Sequence, residues 1–300
     1  MIEVTEREWL MIRSMKFETM DDFERQLYDF KILFAYHSGK IENEQITYHD
    51  TRDIFESGRI TNYTGNLKTL LEIENQKNCY EFLKPSILKK TRMDIELIKK
   101  VHKMLTRGTY DDHRYHINFE RPGEFKKHDY VTGKYEVGSA PEQVEKNLRD
   151  LLSELDEYEG EDHFTAGIYF HAVFENIHPF ADGNGRVGRT LMNYYFMIHD
   201  IAPVVIHEKN RKKYYHALEV FDEEESLEAL ADFIEQEQEQ TWNPQMHNRE
   251  RKCSLQDFLE NDEHQPETGK KMRRNLNSSN MANCHIRKMR KMTAIQRKRR

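Results

Sequence analysis

The chain has 300 residues, 33% charged and 37% hydrophobic, with a formal net charge of −7. This length suffices for one large domain or two small ones, and no apolar run reaches the length of a membrane span. Three cysteines, Cys79, Cys253 and Cys284, are too few and too scattered for a disulfide framework or a zinc knuckle, so a reducing, cytoplasmic setting fits. Residues 1–20 carry Glu3, Glu6 and Glu8 and no apolar core, which excludes a secretory leader in them. The charge is split: residues 265–300 hold twelve Lys or Arg and one acid, leaving 34 basic against 52 acidic residues elsewhere, a balance of −18.

Residues 22–40 carry an apolar stripe of Phe23, Leu27, Phe30 and Phe34 at helical spacing. The helix continues through Ser38 and Glu42, which lie at i and i+4 on one face, followed by Asn43. On spacing alone Ser38 and Glu42 are a surface pair. Gly39 inside this helix marks either flexibility or a close packing contact. Residues 65–83 and 93–107 read as two further helices, the second carrying His102 at the edge of the core, with Gly108 as its stop. Residues 119–140 change character. Pro122 and Gly123 break helix, and Phe125, Tyr130, Val131, Tyr135 and Val137 flank Thr132-Gly133-Lys134 as a short β-hairpin. Residues 141–157 form an amphipathic helix opened by Pro141, and 162–177 form the next, with His171 on its apolar face as a buried histidine. A last helix carries Leu227, Leu230, Phe233 and Ile234, ahead of the acidic run at 235–239.

The densest chemistry lies in residues 178–189. His178 can accept a proton near neutral pH, and Asp182 offers a hard oxygen to Mg²⁺. Gly183, Asn184 and Gly185 make a turn that runs into an apolar-periodic stretch, Val187, Leu191, Tyr194, Tyr195 and Ile198. The exposed N–H groups of such a helix start favour phosphate. Arg186 and Arg189, three apart, share one face and can meet the same anion. Any one of these features is commonplace. Together they describe a nucleotide-phosphate site beside a general base.

The residues His178, Phe180, Asp182, Gly183, Asn184, Gly185, Arg186 and Arg189 resemble, at every defining position, the signature of the Fic-domain family. The resemblance spans roughly residues 20–240. It implies an all-α, Fic-type helical domain of six to eight helices with the hairpin as a flap, occupying residues 1–245. It implies AMP transfer from ATP to a Ser, Thr or Tyr hydroxyl of a protein, with ATP and Mg²⁺ as cofactors and His178 as base. In related Doc-type kinases the second motif glycine is Lys, so Gly185 favours AMP transfer. Ser38, Glu42 and Asn43 are similar to the family's inhibitory motif, which implies that Glu42 pairs with Arg189, in a bidentate contact, and displaces the γ-phosphate. The flap, including Val131, Thr132 and Gly133, would lie over the nucleotide, and Tyr214, with Tyr215 second, would line the adenine pocket. One departure stands out: Lys126 follows Gly123-Glu124-Phe125 where the family often has Arg. A homodimer that buries the inhibitory helix fits the family, as does the protein modifying itself.

Two other readings stay open. Glu42 could orient a water that removes AMP from a modified protein, using the same pocket. Residues 246–300 read as a polar, basic, disordered tail, whose cations could neutralise nucleic-acid phosphates. No aromatic residue lies in 265–300 to stack on bases, which favours a solvated tail.

Overall fold

The computed structural model describes residues 14–60, 63–130 and 138–242. Within them lie ten α-helices. The first five are α1 (Met20–Gln26), α2 (Tyr28–Glu42), α3 (Tyr48–Ser57), α4 (Leu67–Leu88) and α5 (Ile95–Leu105). The second five are α6 (Pro141–Asp156), α7 (His163–Ile177), α8 (Asn184–Ile198), α9 (Arg211–Glu224) and α10 (Glu228–Trp242). A π-helical turn at His113–Ile117 and a 3-10 turn at Glu208–Asn210 complete the set. Apart from an isolated antiparallel bridge between Ser14 and Ile201, the described residues hold no strand. Residues 131–137, the centre of the expected hairpin, lie outside the described residues, as does the tail beyond Trp242. No helix among the described residues is long and apolar enough to cross a membrane.

The helix count exceeds the expected six to eight for a local reason. The stripe read as one helix is two, because Leu27 leaves helical geometry at φ −102°, ψ 13° while its N–H still bonds to Phe23. Residues 48–57, not assigned from sequence, form α3, capped by the Thr47 side chain, which accepts from Asp50 N–H. The acidic run at 235–239 does not follow the last helix but belongs to it. Glu237 and Gln238 are buried there: Glu237 accepts from His207 N–H at 2.6 Å and from Asn210 Nδ2 at 2.6 Å, and Gln238 donates to the Ala202 carbonyl at 2.5 Å. A carboxylate with several donors is stable inside.

The fold is built around α8. Its residues Arg186 to Ile198 are all buried, as expected of a helix surrounded on every side. α7 runs antiparallel to it: His163 stacks on His199, Gly167 lies against Phe196, and Gly188 lies against His171 and Glu175. Small residues at 167 and 188 let the two backbones approach. A Cβ on Gly167 would fall 2.6 Å from the Phe196 ring, and one on Gly188 would fall 2.4 Å from Glu175 Oε1. The short connection between α7 and α8 therefore emerges at one end of this pair, and it is the motif loop.

α2 crosses that end. It is held by His37 paired with Glu208 and by Arg211, which donates to the Ile41 carbonyl at 3.2 Å. Gly39 is a packing contact and not a hinge: a Cβ there would lie 2.7 Å from the buried side chain of Ile46.

Candidate active site

α7 ends at Ile177, and His178 is its C-cap, in left-handed geometry at φ 50°, ψ 63°. Pro179 follows and bars further helix. The His178 ring donates a hydrogen bond to the Glu175 carbonyl. Burial, then the charge of Lys126, push the His178 pKa down to about 4, so the ring is neutral at physiological pH. Lys126, the departure noted in the sequence, is buried, and its backbone N–H donates to the Pro179 carbonyl at 2.9 Å. Where a family arginine was expected, this chain places a lysine whose charge helps keep the His178 ring neutral.

Gly138 fixes the other side of His178. Its φ is +66°, and a Cβ there would meet the Ile177 carbonyl and the His178 Cβ, both at 2.7 Å. Gly138→Ala is expected to cost about 2–3 kcal/mol through strain and crowding. Urea unfolding measures this; a loss within about 0.5 kcal/mol, the range of neutral surface changes, would show that the turn relaxes freely.

The motif loop is closed from inside. Asn184 accepts from Phe180 N–H at 2.9 Å and donates to the Phe180 carbonyl at 2.7 Å. Both atoms of its amide are engaged, so the Asn184 side chain shapes the loop. Gly183 caps α8 at φ 82°, with Thr106 where a Cβ would stand. Asp182 accepts from Gly183 N–H at 2.8 Å through one oxygen, and its side chain remains 27% exposed.

His102, read from sequence as a core-edge residue, is a brace for this loop. Its ring lies flat on Phe180 at 3.7 Å between centroids. Its Nε2 meets the Asp182 carbonyl at 3.0 Å, and its Nδ1 accepts from Gly123 N–H at 2.8 Å. That acceptor role places the proton on Nε2. The signal was faint in sequence, since a histidine on an apolar helix face is usually a packed core residue.

Both motif arginines are buried, Arg189 at 1% and Arg186 at 4% exposure, and both face carboxylates. Arg189 Nη2 donates to Glu42 Oε1 at 2.7 Å and to the Ser38 carbonyl at 2.9 Å, while Nε donates to Ser38 Oγ at 3.0 Å. The contact with Glu42 is therefore one-pronged. The expected bidentate pair is replaced by a fork shared between Glu42 and Ser38, because Ser38 sits one turn earlier on α2, within reach of the inner edge of the guanidinium. Gly185 makes room for it: a Cβ at that position would lie 2.5 Å from Glu42 Oε1 and 2.8 Å from Arg189 Nη1. Arg186 Nη1 meets Glu72 Oε1 at 3.4 Å and Nη2 meets Asp182 Oδ1 at 3.9 Å. Glu72, on α4, was not singled out from sequence; a charged residue among Leu70, Leu71 and Ile73 was the available signal.

Behind Arg189 lies a second polar layer. Tyr214 is fully buried, its OH 2.8 Å from His171 Nε2 and its ring 5.8 Å from the Arg189 guanidinium carbon. Glu175 is pushed up to about 8 by burial. The structure thus puts Tyr214 under the site, whereas Tyr215 is 44% exposed beside it. Val131, Thr132 and Gly133 lie outside the described residues. The neighbouring Tyr130 is anchored, its OH accepting from Asn118 Nδ2 and donating to Glu120 Oε1, each at 3.1 Å.

Residues 92–196 match the model of the Fic/DOC family. The motif loop and both arginines fall inside the match, while Ser38, Glu42, Glu72, Tyr214 and Tyr215 fall outside it. The chain is 28% identical over 195 residues to "Protein adenylyltransferase Fic" of Drosophila persimilis, covering 63% of this chain and 35% of that protein. It is 30% identical over 191 residues to the protein of that name from Drosophila willistoni, covering 63% and 36%. The chain thus spans about a third of the length of these relatives. Among solved structures, Fic-1 (aa134–508) from C. elegans aligns with TM-score 0.64 at 22% identity, over 79% of this chain and 68% of that one. A Fic-domain-containing signaling protein from Bacteroides thetaiotaomicron aligns with TM-score 0.67 at 19% identity, over 82% and 95%. The all-helical Fic fold of this chain is therefore shared with both structures.

Proposed function

We propose that this chain is a protein adenylyltransferase that moves AMP from ATP to a hydroxyl side chain, on itself or on a partner. The observation that carries this reading is the placement of a neutral, fixed His178 beside the N-terminus of α8 and two buried arginines. Relatives named as adenylyltransferases support it. His178 accepts the proton of the attacking hydroxyl, whose oxygen bonds to the α-phosphorus as pyrophosphate leaves. The N–H groups at the start of α8, with Arg186, hold the phosphates. The donor set fits Mg²⁺: Asp182 offers one partly exposed carboxylate, and Mg²⁺ commonly takes one or two carboxylates plus phosphate oxygens and water. The ion would supply charge neutralisation at the phosphates.

Glu42 holds the position that an anion would take on Arg189, so the chain as folded is an autoinhibited form in this reading. A second reading, AMP removal, draws on the same residue: the Glu42 side chain is 33% exposed and could orient a water. The two are separated by intact-protein mass measurement after incubation with ATP and Mg²⁺. A gain of one AMP in Glu42→Gly, absent from Glu42→Gly with His178→Ala, supports transfer. If labelled ATP marks neither the chain nor any protein of a lysate, transfer is overturned.

The low pKa of His178 has a kinetic consequence. A base lowered from 6.5 to about 4 stays unprotonated through neutral and mildly acidic pH. In Glu42→Gly the transfer rate is expected to stay flat from about pH 8 to pH 6, with its acid limb near pH 4 where the fold survives. A limb centred near 6.5 would place His178 in water. The stability sign is consistent: a histidine with depressed folded pKa favours folding above 6.5 and loses that contribution as pH falls from 6.5 towards 4.

A further inference from the structure

The end of α2 touches both motif arginines, by two routes. Glu42 reaches Arg189 directly. Its neighbour Asn43 reaches Arg186 through Glu72: Asn43 Nδ2 donates to Glu72 Oε2 at 2.7 Å, and the other oxygen, Glu72 Oε1, lies 3.4 Å from Arg186 Nη1. We propose that Glu72 is a positioning residue for Arg186 and that Asn43 is its link to the inhibitory helix, so that one helix end registers both phosphate-binding arginines. This rests on the nucleotide reading of the site given above.

The physical case starts from burial. Glu72 and Arg186 side chains are 6% and 5% exposed, and a charge at that depth needs a counter-charge and its hydrogen bonds. Glu72 supplies the counter-charge from α4, a helix that the motif itself does not include. Its contact with Arg186 is long for a hydrogen bond, and Arg186 Nε, also buried, has no hydrogen-bond partner among the described residues. The guanidinium is thus held by Glu72 at Nη1, with Asp182 Oδ1 more distant at 3.9 Å from Nη2, and it is left with hydrogen-bonding capacity that an incoming phosphate can use. Asn43 fixes the far oxygen of Glu72 with a short bond, and it is itself fixed: Nδ2 also donates to Thr69 Oγ1 at 3.0 Å, and Oδ1 accepts from Gln45 N–H at 3.0 Å. Asn43 is the C-cap of α2, immediately after Glu42. Any displacement of the helix end that withdraws Glu42 from Arg189 also pulls on Asn43, and through it on the carboxylate that orients Arg186.

The test uses the full chain in the Glu42→Gly background and titrates ATP with Mg²⁺ by calorimetry. Asn43→Ala and the near-isosteric Glu72→Gln are each expected to weaken ATP about fivefold, the scale of one lost charge-assisted hydrogen bond. The double variant is expected to bind no more weakly than Glu72→Gln alone, since both act through one guanidinium. Purely structural roles would instead give losses that add. Additive losses, or no loss from Asn43→Ala, overturn the relay. If no variant binds ATP, the nucleotide reading falls by itself, and urea unfolding of Asn43→Ala, Arg186→Lys and the pair decides the relay. Non-additive destabilisation that disappears in Glu72→Gln supports it, and additivity overturns it.

Discussion

Replacing Glu42 by glycine is expected to raise AMP transfer about 10- to 100-fold. The estimate follows from the contact being removed. A charge-assisted hydrogen bond to a carboxylate is worth about 1.5–3 kcal/mol, which converts to roughly that range in an equilibrium between Glu42 and a phosphate for the same guanidinium. The effect should be clean, because Ser38 continues to hold Arg189 through its hydroxyl and its carbonyl. The cation is released from its competitor without being released from its place. Glu42→Gln, which keeps a hydrogen bond and drops the charge, should release less. The variant should also lose stability by about 1–3 kcal/mol, since Arg189 is left buried without its counter-charge, a cost moderated by the partial exposure of Glu42. ATP with Mg²⁺ should return that stability, raising the unfolding midpoint of Glu42→Gly more than that of the parent. Equal initial rates in parent and Glu42→Gly, at saturating ATP and with labelled nucleotide, would remove Glu42 from any inhibitory role.

Removal of the His178 imidazole is expected to reduce transfer by about 10²- to 10⁴-fold in the Glu42→Gly background, the usual contribution of a positioned general base. The choice of variant matters. His178 sits at φ 50°, where alanine is strained, so His178→Ala mixes a lost base with a shifted loop. Asn tolerates left-handed geometry and cannot take the proton. His178→Asn should therefore keep the stability of the parent and its affinity for ATP, while losing the rate to the same extent as His178→Ala. A rate within fivefold of the Glu42→Gly chain would mean that the hydroxyl loses its proton elsewhere, and the only neighbouring histidines in the described site, His102 and His171, are already braced against Asp182 and Tyr214.

What the sequence determined by itself is what short-range geometry encodes. The helix over 141–156 follows from Pro141 and a four-residue apolar spacing, and the stop at His178 follows from Pro179. The loop between α7 and α8 and the first turns of α8 carry His178, Asp182 and both arginines within twelve consecutive positions, so their proximity needed no fold to establish it. The pairing of Glu42 with Arg189, 147 positions apart, was reached only through likeness to a family, since spacing alone made Glu42 a surface residue. The tertiary structure decided the rest. Arg186 meets Glu72 across 114 positions because α4 packs beside α8, and no local pattern on either helix announces that contact. Asn184 spends its amide on Phe180, and Tyr214 lies beneath Arg189 instead of on an open pocket wall, because α8 and its neighbours are buried on every side. The pKa of His178 depends on burial and on Lys126, neither of which a linear pattern contains. Local chain geometry sets which groups are available; the cost of burying charge sets which of them must meet.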